Sequence, residues 1–330
     1  MPNSSCGNGI NFRMEYGKET GKAHPGVCRK CGREGAEKFE KAARSAGVAF
    51  RESVGADSLT TFGGGGTVFR LYEPRDKSEL CSLMRAAADV GMQENVFFLG
   101  GGSDTVIADG TVYTPVVSTH RLNRIAMQAD GTVYAECGVR ISALTVSAAK
   151  HGRGGFEFLW GVPATVGGAL RLNAGAFGAQ TADYVIKIER LNADCAETEW
   201  VDATEAEFGY RRGAEGFLLS AVFGLSPATP DESRALAVRY AAERRKKQPA
   251  LPSCGSVFAG ADMPAGYYIE RAGLKGVRRG GAQISELHAN FIVNTGGATA
   301  TDFTELVNLA ERRVRELFGV NLRREFVLLE

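Results

Sequence analysis

The stretch 161–178, GVPATVGGALRLNAGAFG, limits what this chain can fold into more than any other. It carries five glycines, one proline and a single charged side chain, Arg171. A core strand would carry more bulk, and a surface loop more charge. Glycine lets a backbone approach a ligand, or adopt positive φ, where a Cβ would forbid it. A neutral concavity rich in N–H groups suits a diphosphate or a flat cofactor. A tight buried crossover built from small residues accounts for the same composition. The rest of the chain has to decide between the two.

The 330 residues exceed one ordinary core, so two or three domains are expected. Lys and Arg number 39 against 38 Asp and Glu, a net charge of +1, which argues against nucleic acid as the main partner. No apolar run approaches a membrane span, and the first thirty residues hold no signal-peptide core. A cytoplasmic location with no membrane partner is therefore expected. The seven scattered cysteines, an odd number, read as reduced thiols.

Residues 1–35 are polar and without periodicity. Cys6, His24, Cys28 and Cys31 have a spacing that can ligate zinc, but a single CxxC without a second pair is assigned no metal. A helical pattern follows over 36–47, then four glycines at 63–66 and a largely apolar strand over 68–72. Asp76 and Glu79 start a helix that ends at Gly91. A short apolar strand, 96–99, runs into Gly100, Gly101, Gly102 and Ser103. A glycine turn after a buried strand is where α/β folds place phosphates. It is not a GxGxxG opening a long helix, so a Rossmann nicotinamide site is not indicated.

Strands are expected over 112–117, 133–138, 185–191 and 217–223, with an amphipathic helix over 141–150. The polar span 225–232 carries two prolines and marks a boundary. A charged helix over 232–247, a strand over 290–293, a helix capped by Asp302 with Glu305, and a final strand over 325–329 complete the chain.

Taken in order, GGGS at 100–103, the 161–178 stretch, FGYR, PSCGSVF, ERAGLKG, SELHANFIVNTGGATATDF and FGVNLRREF resemble the UDP-N-acetylenolpyruvoylglucosamine reductases, also called UDP-N-acetylmuramate dehydrogenases. The likeness covers roughly 45–330 and is similar to the shorter subclass, which lacks an extra substrate loop. It implies an α+β chain. After an N-terminal extension, 1–40, come two FAD-binding subdomains of the vanillyl-alcohol-oxidase (PCMH) type, 41–118 and 119–227, and a C-terminal α+β substrate-binding domain, 228–330. It implies NADPH-dependent reduction of UDP-N-acetylglucosamine enolpyruvate to UDP-N-acetylmuramate through non-covalent FAD, in peptidoglycan precursor synthesis, by a monomer.

Hydride addition to an enolpyruvyl ether at the β-carbon leaves negative charge on the carboxylate and α-carbon, so a cation and a proton donor are needed. The resemblance gives the first role to Arg211 in FGYR, the second to Ser256 in CGSVF, and a polarising or proton-relaying role to Glu325. By residue type alone these read as a solvated arginine, a turn serine and an exposed strand residue. Cys254, as a thiol, is the rival acid. The cofactor cradle it implies comprises Gly100, Gly101, Gly102, Ser103, Asp104, Gly161, Thr165, Gly167, Gly168, Asn173, Ala174, Gly175 and Gly178, with the glycines after Phe62 sharing in it. Substrate contacts are expected from Tyr210, Lys247, Glu286 and Asn294. The chain departs from the family pattern at Asp104 (usually Asn), Ala164 (Gly), Phe177 (Tyr), Ala259 (Lys) and Arg212-Gly213 (where a serine is common). Two other readings stand beside it. One is a different FAD-linked oxidase of the same fold, which would need neither Ser256 nor Glu325. The other is a non-catalytic flavin- or nucleotide-sugar-binding homologue, motivated by Asp104 and Ala259.

Overall fold

The computed structural model describes residues 32–192, 194–195 and 197–330. The cysteine and histidine cluster at Cys6, His24, Cys28 and Cys31 lies outside them.

Three sheets carry the structure. The first has six strands and is mixed. Phe50–Gly55 runs antiparallel to Gly65–Tyr72, which is parallel to Thr105–Val112 and, through Leu71 and Tyr72, to Val116–Ser118. Phe97–Leu99 adds to Val116–Ser118 in parallel. A Cβ on Gly65 would stand 2.1 Å from the Ile107 carbonyl, and one on Gly66 would stand 2.2 Å from that of Gly110. Gly65 and Gly66 therefore serve close strand approach, and none of the glycines at 63–66, expected to share in the cofactor cradle, lines the cavity described below. The single strand expected over 112–117 is two strands. Pro115, between them, has no N–H to give a ladder, though its carbonyl accepts from Phe97 N–H at 2.9 Å.

Helix Lys77–Asp89 starts as its sequence dictates, with the Asp76 side chain accepting from Glu79 N–H. It buries Leu80, Leu83, Met84 and Ala87. Helix Arg33–Ser45 adds Phe39 to the same layer, edge-on to Tyr72 at 4.8 Å. The second sheet is antiparallel, in the order Thr198–Asp202, Val185–Leu191, Phe217–Phe223, Val133–Glu136, Ile125–Met127. Lys77 Nζ lies 2.6 Å from Glu189 Oε2, and Ser220 donates to the same carboxylate, tying the first helical layer to the second sheet.

The third sheet is antiparallel, in the order Ser253–Ser256, Phe291–Asn294, Ala282–Ile284, Arg278–Arg279. Helix Ala300–Phe318 packs on it through Phe303, Leu306, Val307, Ala310 and Val314. Its cap is a reciprocal Thr299–Asp302 pair, three residues before the expected Asp302–Glu305. Asp109 accepts from Ala300 and Thr301 N–H at 2.9 and 2.8 Å, fixing this helix start to the first sheet.

Two connections set the site. Helix Pro230–Lys247, capped by Thr229 and Glu232, packs back on the second sheet's subdomain: Ser233 donates to Glu157 Oε1 at 2.5 Å, and Tyr240 joins that core. The last strand, Val327–Leu329, runs parallel to Thr105–Val112 at the edge of the first sheet. The 228–330 segment thus begins on the second sheet and ends in the first, and its own core lies between. Among the described residues no helix is long and apolar enough to cross a membrane.

Candidate active site

A cavity of about 1040 Å³ is lined from all three sheets. One wall is the turn that follows Phe97–Leu99. Gly102 sits there at φ 59°, and a Cβ on it would stand 2.1 Å from the Leu59 carbonyl. Among the described residues, the backbone N–H groups of Gly100, Gly101, Gly102 and Ser103 have no protein acceptor. Four consecutive free donors in one cavity wall are built for an anion.

The adjoining wall is helix Val166–Leu172 with its flanks: a Cβ on Gly100 would stand 2.5 Å from Thr165 Oγ1. Its N–H groups are spent inside the protein. Val166 donates to Val139 O at 2.8 Å, Gly167 to Cys137 O at 2.7 Å, and Gly168 to the Thr165 hydroxyl at 3.3 Å. Gly167 and Gly168 therefore offer space and not donors. A Cβ on Gly168 would meet only Thr165 Oγ1, at 3.6 Å. Gly161, Thr165, Gly167, Gly168, Ala174 and Gly175 all line the cavity. Asn173 and Gly178 do not. Asn173, at φ 43°, ends the helix, donates to Gln180 Oε1 and Gly209 O, and accepts from Ala182 N–H. Gly178 is an exposed turn glycine at φ 85°.

Arg211, Ser256 and Glu325, distant in sequence, meet on this cavity. Arg211 is held at φ 53° in the tight turn between Gly209 and Arg212. Such a conformation in a non-glycine residue is costly and gathers at functional sites. Its Nε lies 3.1 Å from Glu325 Oε1, with the carboxylate almost wholly buried. That oxygen has no well-aligned hydrogen bond, so the contact is an ion pair that leaves the guanidinium N–H groups available. Glu325 is placed by its own N–H, which donates to Val257 O at 2.8 Å beside Ser256. Ser256 follows Gly255 at φ 79° and is half-buried. Its hydroxyl has no protein partner among the described residues.

The four expected substrate contacts lie off the cavity wall. Tyr210 is 69% exposed. Lys247 is exposed in the last helical turn. Glu286 is exposed beside Gly276. Asn294 is buried and fully engaged, donating to Phe62 O and accepting from Gly296 and Ala298 N–H. In the basic run 244–247 it is Arg244 that reaches the cavity. Its guanidinium donates to Phe158 O at 2.9 Å and Trp160 O at 3.1 Å, and lies over the Phe177 ring. Burial pulls its pKa down. Arg171 also lines the cavity and donates to Gly216 O at 2.5 Å.

These walls fit FAD. The four-donor turn suits its diphosphate, and Val96, Phe97, Leu99, Val162 and Leu218 give apolar surface for its rings. Gly168→Leu is expected to weaken FAD binding about 10- to 100-fold, the 1–3 kcal/mol typical of overpacking, because the new side chain fills cavity space. The melting temperature of the cofactor-free protein should not fall, since leucine favours helix over glycine. Fluorescence titration of FAD and a thermal melt check the two halves.

The chain's likeness to known proteins agrees with this geometry. A family model described as UDP-N-acetylenolpyruvoylglucosamine reductase, C-terminal domain, matches residues 247–329, and one described as FAD binding domain matches 70–197. The UDP-N-acetylenolpyruvoylglucosamine reductase of Lactobacillus johnsonii is 36% identical over 292 residues, covering 86% of this chain and 95% of that protein. The chain belongs to the UDP-N-acetylenolpyruvoylglucosamine reductase family. The reductase of a Synechococcus species is 37% identical over 281 residues, covering 82% of this chain and 88% of its own. The crystal structure of the Thermus caldophilus reductase superposes with a TM-score of 0.71 at 29% identity, covering 86% of this chain and 99% of that one. The fold is accordingly the family's: α+β, with a two-part FAD-binding unit and a C-terminal domain.

Proposed function

We propose that this chain reduces UDP-N-acetylglucosamine enolpyruvate to UDP-N-acetylmuramate, with NADPH as electron source and FAD as bound carrier, as a cytoplasmic monomer supplying peptidoglycan synthesis. The reading is carried by one observation: Arg211, Glu325 and Ser256 line the same cavity as the four-donor turn.

Bound FAD supplies the hydride chemistry, drawing on the nicotinamide and serving the β-carbon of the enolpyruvyl group. The chain's own groups do the rest. Arg211 orients the substrate carboxylate and stabilises the negative charge that spreads over it and the α-carbon. Glu325, buried against the guanidinium, holds Arg211 in place. Ser256 Oγ gives its proton to the α-carbon, which completes the lactyl ether. Cys254 loses the acidity advantage of a thiol, because burial pushes its pKa far up. That favours the hydroxyl two residues on.

The test is anaerobic. The protein is loaded with FAD, reduced with NADPH and then given the enolpyruvyl substrate. The expected result is bleaching of the flavin absorbance by NADPH and its return on substrate addition. Failure to retain FAD would overturn the reading, as would bleaching without substrate-dependent return. Rapid return with dioxygen and none with substrate would support the oxidase alternative.

A further inference from the structure

Asp104 stands where the cavity least needs a negative charge. It directly follows the four free N–H donors of residues 100–103 and lines the same wall. It forms no ion pair among the described residues. Arg211, the cation facing it from the turn at 209–212, is engaged with Glu325 from the C-terminal segment. From strand Ser253–Ser256 it faces the Cys254 thiol, which is no counter-charge. Its hydrogen-bond support is weak: the Thr105 hydroxyl donates to Oδ1 at 3.3 Å. Its backbone is fixed to the last strand, because its carbonyl accepts Val327 N–H at 2.8 Å.

A carboxylate so placed would repel a diphosphate held by the neighbouring donors. A carboxylic acid would not, and its O–H becomes one more donor. We propose that Asp104 is protonated in the cofactor complex, so that FAD binding takes up a proton and weakens as pH rises. This rests on the reading that the cavity takes FAD.

Burial already pushes the Asp104 carboxyl up, against the smaller opposing pulls of the Thr105 hydroxyl, its own N–H and Arg211. The direction of the linkage follows. Below the carboxyl's pKa in the free protein the acid is preformed and affinity is full. Above it, each binding event must first protonate Asp104, and affinity falls by up to about tenfold per pH unit until the pKa of the complex is passed.

The experiment is FAD titration of the cofactor-free protein from about pH 5.5 to about 8.5, spanning the range a raised carboxyl can reach. Flavin fluorescence gives the affinity. Calorimetry in two buffers of different ionisation enthalpy counts protons. The wild-type chain is expected to lose about tenfold or more in affinity across the range, with net proton uptake on binding. Asp104→Asn keeps the shape and the donor, so its affinity is expected to stay flat with pH, to exceed wild type at the alkaline end, and to show no uptake. A flat wild-type profile without uptake overturns the proposal, as does a slope that persists in Asp104→Asn. FAD that binds at no pH overturns instead the assignment of the cavity.

Discussion

Ser256→Ala is expected to leave flavin bleaching by NADPH at the wild-type rate. It should slow the substrate-dependent return of oxidised absorbance by about 10²- to 10⁴-fold, the range general acids contribute. The asymmetry follows from where the hydroxyl stands. Reduction by a nicotinamide requires no proton from the protein side chains of this wall, whereas the α-carbon must receive one. The backbone at Ser256 is set by Gly255 at φ 79° and by pairing with Phe291. The hydroxyl makes no protein contact among the described residues, so its removal leaves no buried group unpaired. Fold and FAD retention should therefore be unchanged. Stopped-flow traces of the two half-reactions separate the outcomes. Equal slowing of both would point to a displaced cofactor, and no slowing of the second would remove Ser256 from the proton path.

Much of the architecture was legible because local pattern and tertiary role agree. Strands Val185–Leu191 and Phe217–Phe223 and helix Ile141–Lys150 fall where apolar runs and periodicity place them. What was not legible depends on partners far along the chain. Glycines 63–66 and 100–102 look alike in sequence. Those at 65 and 66 meet carbonyls of a neighbouring strand, while the turn at 100–102 keeps its donors free. Gly167 and Gly168 resemble an anion-binding helix start, yet their N–H groups are taken by Cys137 and Thr165. Arg244 and Lys247 share a helix face at three-residue spacing. Only docking of that helix against residues 157–160 shows that the arginine enters the cavity and the lysine does not. The family resemblance offers Asn173 and Asn294 as ligands, but each spends its amide on backbone or neighbouring groups.

Glu325→Gln and removal of the last six residues are expected to fail in different ways. Glutamine keeps the volume of Glu325 and the backbone bond to Val257 O, but withdraws the charge facing Arg211. The arginine is about one-third exposed, so water can solvate it in the mutant and the loss of stability stays modest. Its aim at the substrate is what suffers. A drop of about 10²-fold or more in the substrate half-reaction is expected, comparable to losing one positioned electrostatic group, with NADPH bleaching and FAD retention near wild type. Truncation after Arg324 is another matter. It removes Phe326, Val327 and Leu329, all buried, at about 1.5–3 kcal/mol each. It also removes an edge strand of the first sheet and the N–H that binds Asp104 O. Those losses approach the 5–15 kcal/mol that holds a whole domain together. The truncated chain should therefore lose FAD and cooperative melting, and its inactivity would say nothing of Glu325. The point substitution is the decisive measurement: a Glu325→Gln protein that returns to the oxidised form at the wild-type rate would leave Arg211 without its partner's support in catalysis.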